Sequence, residues 1–321
     1  MSELNIIKMS DIKEEEIKWL WYPYIPYGKL TIIQGDPGDG KTTLALNIAS
    51  RLSKGEKFEE GVSIEEPINI IYQTAEDGLA DTIKPRLLRA NANCERIMVI
   101  DESEKSLAMD DERLKKAIVS QNAKLLILDP IQAYLGNRVD MNRANEIREM
   151  TKKLTLLAEE TKCAIVLIGH MNKSMGSKAT YRGIGSIDIF AVARSVLLVG
   201  KIEENSSIRG VVQIKNNLAL IGNSKGFEIF DGCVKWLGDY EITADEILNS
   251  FEGKINKTER AKRLLEELAE QYDEIKSSDI YTRAEELRIS MRTMDNVKRE
   301  LGIRAKKIKN SWYWELSDIR K

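Results

Sequence analysis

The sequence is poor in histidine, cysteine and long apolar runs. His170 is its only histidine. A zinc site built on histidines is thereby excluded, and so are most catalytic arrangements that rest on histidine. Three cysteines, Cys94, Cys163 and Cys233, lie far apart. Such a sparse, odd set argues against a disulfide framework or a metal cluster, and for a reducing compartment. A cytoplasmic location is therefore expected. No stretch approaches the ~18 apolar residues of a membrane span, so no membrane partner is expected. The opening MSELNIIKMSDIKEEE has no basic start followed by an apolar run, which excludes a secretory signal. Only 6 prolines and 20 glycines are spread over the chain, so it is neither collagenous nor low-complexity.

What is present is a chain of 321 residues, enough for two or three domains with real cores. Hydrophobic residues make up 42% and charged residues 31%, the balance of a globular, charge-rich protein. The net charge of −2 is uneven: from Lys254 to Lys321 there are 17 basic and 13 acidic residues, a surplus of +4, which leaves −6 for the rest. A mildly acidic body with a basic tail points to a polyanion partner for the tail.

The chain divides into four parts. Residues 1–28 hold an acidic, helix-compatible run and then WLWYPYIPYG, read as an extended segment because Pro23 stops a helix. Residues 29–240 alternate apolar runs with helical patterns. Strands are predicted at 30–34, 68–74, 96–100, 124–129 and 164–169, with helices at about 41–53, 78–92, 110–121 and 140–161. Near-continuous apolar runs mark parallel strands buried on both faces, so this is an α/β domain with a mostly parallel sheet. Shorter, hairpin-like strands follow at about 195–201, 209–216, 226–230 and 233–237. Residues 241–256 read as a linker with one short helix. Residues 257–321 give three helices, at about 257–272, 277–287 and 290–301, then a two-stranded hairpin turning near Lys309. That order is the layout of a winged helix.

The strand LTIIQ runs straight into Gly35-Asp36-Pro37-Gly38-Asp39-Gly40-Lys41-Thr42-Thr43, which satisfies GxxxxGK[ST] between a strand and a helix. In such a loop backbone N–H groups cradle phosphates and the helix N-terminus adds its dipole. Lys41 reaches the β- and γ-phosphates, and the Thr42 hydroxyl ligates Mg²⁺. KLLILDP supplies Asp129 at the end of an apolar strand, a candidate for the magnesium shell. The next residue is Pro130, so a water-activating base must come from elsewhere. Glu76, after the strand INIIYQT, is the candidate; its neighbour Asp77 could be a helix cap. His170 ends the strand AIVLIG, where a polar side chain can sense the γ-phosphate or the attacking water. A satisfied strand-end histidine is the plain alternative.

YIPYGKLTIIQGDPGDGKTTLA, IIYQTAED, LLILDP, VLIGHMNKS and YRGIGSIDIFAVARSVLLV occur in that order. Together, over residues 19–240, they resemble the RecA-like P-loop ATPases of the plasmid RepA and phage replicative helicase type, a group more distantly related to DnaB and RadA. The tail resembles the winged-helix tails of many phage members. The resemblance implies a ring, usually a hexamer, with ATP and Mg²⁺ at subunit interfaces. Glu76 then matches the catalytic glutamate, Asp129 the magnesium aspartate and His170 the histidine after the last core strand. Arg194 matches an arginine finger reaching a neighbour's nucleotide, although on its own it would read as a solvated arginine before a strand. Lys215 falls in the stretch where relatives carry a KxR pattern, but Asn217 replaces the second basic residue. Arg182 is a third cation for the trans role and equally a DNA contact.

The loop 171–185 carries Lys173, Lys178 and Arg182, and a second loop carries Arg138 and Arg143. Cations on loops tied to the nucleotide state suit single-stranded DNA in a ring channel. In the tail, Ser290 would cap a recognition helix bearing Arg292, Lys298 and Arg299, with Lys306 and Lys307 on the wing. Basic helix and basic wing suit duplex DNA, although winged helices also bind proteins. Trp312 and Trp314 share one face of the wing and read first as wing core. The expected function is ATP hydrolysis coupled to DNA, in a ring helicase or translocase of a plasmid, phage or other mobile element. No primase zinc motif is visible, so a separate primase and a loader would be needed. The rivals are a RadA-like regulatory or recombination ATPase that does not unwind, and a small-molecule kinase.

Overall fold

The structure, a computed structural model, describes residues 6–56, 66–135, 144–171, 187–202, 207–248, 261–262, 264–269, 272–287, 289–309 and 311–316. It separates into two compact units, Met1–Ile247 and Leu248–Lys321.

The first unit is built on a nine-stranded sheet. Its middle strand is β3 (Leu30–Gly35), because Leu30, Ile32 and Ile33 are apolar on both faces and need cover from both sides. On one side lie β7 (Ala164–His170), β6 (Ala123–Asp129), β4 (Asn69–Thr74) and the two-residue β5 (Ile97–Met98), all parallel to it. On the other side β8 (Ser195–Lys201) is also parallel, and then β9 (Ile208–Asn216), β10 (Lys225–Phe230) and β11 (Cys233–Asp239) continue antiparallel. The result is a RecA-like α/β core with a mostly parallel sheet and an antiparallel extension.

Alternate residues feed two cores. Ile33, Ile70, Leu125, Val166 and Leu197 pack with Leu44, Ile48 and Leu52 of helix α1 (Lys41–Lys54). Ile32, Ile71, Leu126, Leu167 and Val196 pack on the other face. There they meet Leu114 and Ile118 of α3 (Glu112–Ser120) and Leu154 and Ala158 of α4 (Ala144–Thr161). α1 ends at Gly55, whose left-handed backbone (φ 72°) lets its N–H reach back to the last turn.

Several local expectations change. The acidic run before Lys18 is not helical; only Met9–Asp11 form a single 3₁₀ turn there. WLWYPYIPYG is a small hairpin, β1 (Trp19–Trp21) with β2 (Ile25–Pro26). Leu20, Trp21, Tyr24 and Ile25 are buried in the same core as α1, and the Trp21 ring meets Trp236 edge-on at 5.6 Å. Gln213 and Asn216 donate side-chain N–H groups to the carbonyl of Pro23, fixing the hairpin on the antiparallel extension. The helix expected at 78–92 begins as a π turn, Leu79–Ile83, and becomes α only over α2 (Lys84–Arg89). Pro85 lacks an N–H, so it tolerates a place only in the first turn. The strand expected at 96–100 pairs only at Ile97 and Met98.

The second unit holds helical residues 261–262 and 264–269 (α6), β12 (Glu274–Lys276), α7 (Ser277–Glu286), α8 (Met291–Glu300), β13 (Arg304–Ile308) and β14 (Ser311–Glu315). Its antiparallel sheet has the order β12-β14-β13. Leu265, Leu268, Ile280, Met294 and Val297 close around Trp314, which is 2% exposed. The Tyr281 ring meets Trp314 edge-on at 5.7 Å, and the Lys298 ammonium lies 4.9 Å from the indole centre. Trp314→Ala is expected to cost the C-terminal unit about 3–5 kcal/mol. Chemical denaturation of the intact chain should show an early C-terminal transition with the N-terminal one unmoved.

Candidate functional site

The parallel strands deliver their last residues to one edge. Gly35 lies beside His170, and Thr74 beside Asp129. Gly35 has no room for a side chain, since a Cβ would collide with the Val199 carbonyl oxygen of β8. The loop then turns through Gly38 and Gly40, both at positive φ (83° and 91°), and α1 starts at Lys41. These are backbone states that only glycine adopts freely. They leave the first N–H groups of α1 unpaired for an anion.

The loop is held ready by its own side chains. Asp39 is buried and accepts an N–H from Asp36 at 2.7 Å. Burial pushes its carboxyl up to about 6, opposed by that bond and by Lys41. The Lys41 ammonium donates to the Asp36 carbonyl at 2.8 Å. Burial holds it below its ordinary value, opposed by Asp39, Asp129, Asp36 and Glu76. Pro37 and Gly38 are exposed on the loop, and Thr43 is half-buried in the first helical turn.

Thr42 and Asp129 meet as a magnesium pair would. The Thr42 hydroxyl donates to Asp129 Oδ2 at 2.7 Å, and the Tyr72 phenol donates to the same oxygen at 2.8 Å. Burial raises the Asp129 carboxyl, while these two donors favour its charged form. A hard cation takes oxygen ligands, and a hydroxyl and a carboxylate converging beside a phosphate cradle fit Mg²⁺. Tyr72 was not singled out from the sequence; the aromatic before Gln73 reads as ordinary strand core.

Glu76 and His170 come together at the same edge, with Nε2 4.0 Å from Oε1. The Glu76 side chain is 62% exposed, as a base facing solvent water would be. His170 Nδ1 is buried without a hydrogen-bond partner among the described residues. Asp77 is not a helix cap: it pairs with Arg86 Nη1 at 2.9 Å, and the cap position of the π turn is Gly78.

Arg194 and Lys215 lie at the other end of the sheet. The Arg194 N–H donates to the Leu30 carbonyl at 3.0 Å, at the start of β3, about 16 Å from its P-loop end at ~3.3 Å per residue. Lys215 pairs with Val196 across β8 and β9, and its ammonium donates to the carbonyls of Phe190 and Ala191 in α5 (Ile187–Val192) at 2.8 and 3.0 Å. Neither can reach its own P-loop. Two cations that the sequence reading passed over stand there instead. Arg209 and Lys201 pair across β9 and β8 at the P-loop end. A Cβ at Gly40 would lie 3.3 Å from Arg209 Cδ and 2.5 Å from Ile229 Cδ1. Burial lowers the Arg209 guanidinium, and its Nε has no partner among the described residues. Their signal was a Lys and an Arg on either side of the turn between the hairpin-like strands at about 195–201 and 209–216; that this turn lies at the P-loop end was not legible in the sequence.

Lys173, Lys178, Arg182, Arg138 and Arg143 lie outside the described residues. In the tail, Ser290 caps α8 by accepting the Thr293 N–H at 3.2 Å. Arg292, Asn296 and Arg299 are exposed along one helical stripe, and Arg299 Nη2 donates to Asn296 Oδ1 at 2.5 Å. Lys298 leans onto Trp314. Lys306 is paired with Glu274 and, at 3.5 Å, with Glu315, whereas Lys307 is exposed.

The model of the AAA domain matches residues 5–176. The chain belongs to the AAA domain family. Among curated proteins, this AAA domain chain is 25% identical to the DNA repair protein RadA of Aquifex aeolicus over 148 residues, which covers 46% of the chain and 29% of that protein. It is 24% identical to RadA of Streptococcus pneumoniae over 260 residues, covering 79% and 54%. The chain thus spans between about a third and a half of the length of these relatives. Among solved structures it is similar to a KaiC-like protein from Pyrococcus horikoshii, with a TM-score of 0.47 and 20% identity, covering 66% of this chain and 90% of that one. It is a P-loop ATPase domain distantly related to RadA proteins. No helix among the described residues is long and apolar enough to cross a membrane.

Tyr72→Phe should leave the fold intact, since the ring stays and only the hydroxyl goes. It is expected to weaken the Mg²⁺-dependent part of ADP binding about 10- to 100-fold, as loss of a partner behind a metal ligand does. Calorimetry with and without the metal measures this; metal-free ADP binding should be unchanged.

Proposed function

We propose that this chain is an ATP-hydrolysing ring motor, usually hexameric in its kind, that moves on or unwinds DNA for a plasmid, phage or other mobile element. The observation that carries this is the separation of Arg194 and Lys215 from the P-loop of their own chain. Cations at the far end of the sheet serve hydrolysis only at a neighbour's nucleotide. Arg194 is exposed, whereas Lys215 is engaged by α5, so Arg194 is assigned the finger.

The steps follow from the side chains. The loop 35–40 and the start of α1 bind the phosphates, and Lys41 turns from Asp36 to the β- and γ-oxygens. Thr42 and Asp129 would hold Mg²⁺, which when bound would offset the negative charge of the phosphates. Glu76 orients water and takes its proton. His170, 4.0 Å from Glu76, reports the state of that carboxylate to the chain that follows it. From the sequence, Lys173, Lys178 and Arg182 of that segment then bear on single-stranded DNA, and the tail cations on duplex DNA or protein. A second reading, a regulatory or recombination ATPase that does not unwind, is favoured by the relatives named DNA repair protein RadA.

Glu76→Gln is expected to keep ATP binding and to lose at least about 100-fold in turnover; full activity would remove Glu76 as base. Arg194→Ala should bind ATP without hydrolysing it, with a loss of about 10³-fold or more. Mixing it with Lys41→Ala subunits should restore part of the turnover, because one supplies the P-loop and the other the finger. Mixtures that co-assemble and stay inactive would contradict a finger in trans.

A further inference from the structure

The two tryptophans of the wing share a face and have different fates. Trp314 pairs with Ala305 and Ile275 across the small sheet and is buried. Trp312, two residues earlier and ~7 Å away along the strand, lies past the edge of that core and is 53% exposed. An indole left half in water is not explained by the stability of this unit.

Its surroundings are cationic. Lys307 is its cross-strand partner on the same face and is exposed. Lys298 of α8 lies over the ring of Trp314, the next side chain along that face. Lys309 is exposed at the turn of the hairpin. The acidic residues of the sheet are on the opposite face, where Glu274 and Glu315 are both paired with Lys306. Strand alternation has therefore placed both acidic residues of the small sheet on one face and left the other with one open ring among lysines.

We propose that this second face is a stacking site for unpaired nucleic-acid bases. The Trp312 indole takes the base, and Lys307 and Lys298 take the flanking phosphates. Aromatic rings beside backbone-tracking cations are what sequence-tolerant binding of single strands requires, since every base has a π-face. The charge selects a polyanion, and the ring selects one whose bases are open. A duplex offers phosphates to the lysines but no base to the indole. The site is independent of the ring reading, because it lies wholly within the C-terminal unit and needs no nucleotide.

The test uses the intact chain without nucleotide, a fluorescein-labelled dT 15-mer and a DNA hairpin of the same charge whose loop is a polyethylene glycol linker, so that it has no unpaired base. Trp312→Ala is expected to weaken dT binding about 5- to 100-fold, the range of one lost stack. Trp312→Phe should stay within about threefold of wild type, because a ring remains. Both variants should bind the hairpin as wild type does and keep DNA-independent ATP turnover. Lys307→Ala should weaken both probes and lower the salt slope by about one. Wild-type dT affinity in Trp312→Ala would overturn the proposal. So would equal losses on dT and hairpin, a Trp312→Phe variant as weak as Trp312→Ala, or a Trp312→Ala defect confined to self-association.

Discussion

One oxygen atom holds the site together. Asp129 Oδ2 accepts from the Thr42 hydroxyl at the start of α1 and from the Tyr72 phenol on β4. Three elements that are separate in the chain are thereby tied at the edge where phosphates would arrive. The arrangement depends on burial. In water two neutral donors would do little for a carboxylate, but here burial raises Asp129 and the two donors work against that rise. The parallel sheet makes this possible, because only strands running the same way bring Gly35, Asp129, Thr74 and His170 to a single edge.

The same sheet separates what must be apart. β8 begins at Ser195, level with Thr31 at the start of β3, so Arg194 is carried to the end away from the P-loop. The hairpin of β8 and β9 then returns Lys201 and Arg209 to the P-loop end. Cations near the loop and cations remote from it are thus sorted by strand direction. A nucleotide bound between two copies of such a chain would meet one set from each copy.

Much of this was legible in the sequence, because each part rests on a local pattern. GDPGDGKTT has one physical use after an apolar strand and before a helix, and the fully buried strands read as unbroken apolar runs. What escaped is non-local. Tyr72 looks like core until its hydroxyl is seen on Asp129, and Arg209 looks like a surface residue until its strand is known to begin beside Gly40. The aromatic segment near Pro23 offered no periodicity to show that it folds into a hairpin against Trp236. The two wing tryptophans were placed together on one face, but alternation alone does not say where the core stops. Trp314 is inside it and Trp312 is not. Charge counts likewise treated Lys306 and Lys307 alike, although one is paired and the other exposed.

A nucleotide site completed by a neighbouring copy and coupled to DNA is read out by steady-state ATP hydrolysis per subunit, measured over a wide range of protein concentration with and without single-stranded DNA. Turnover should rise steeply with concentration and rise again with DNA. Turnover per subunit that is flat with concentration and indifferent to DNA would rule out such a site.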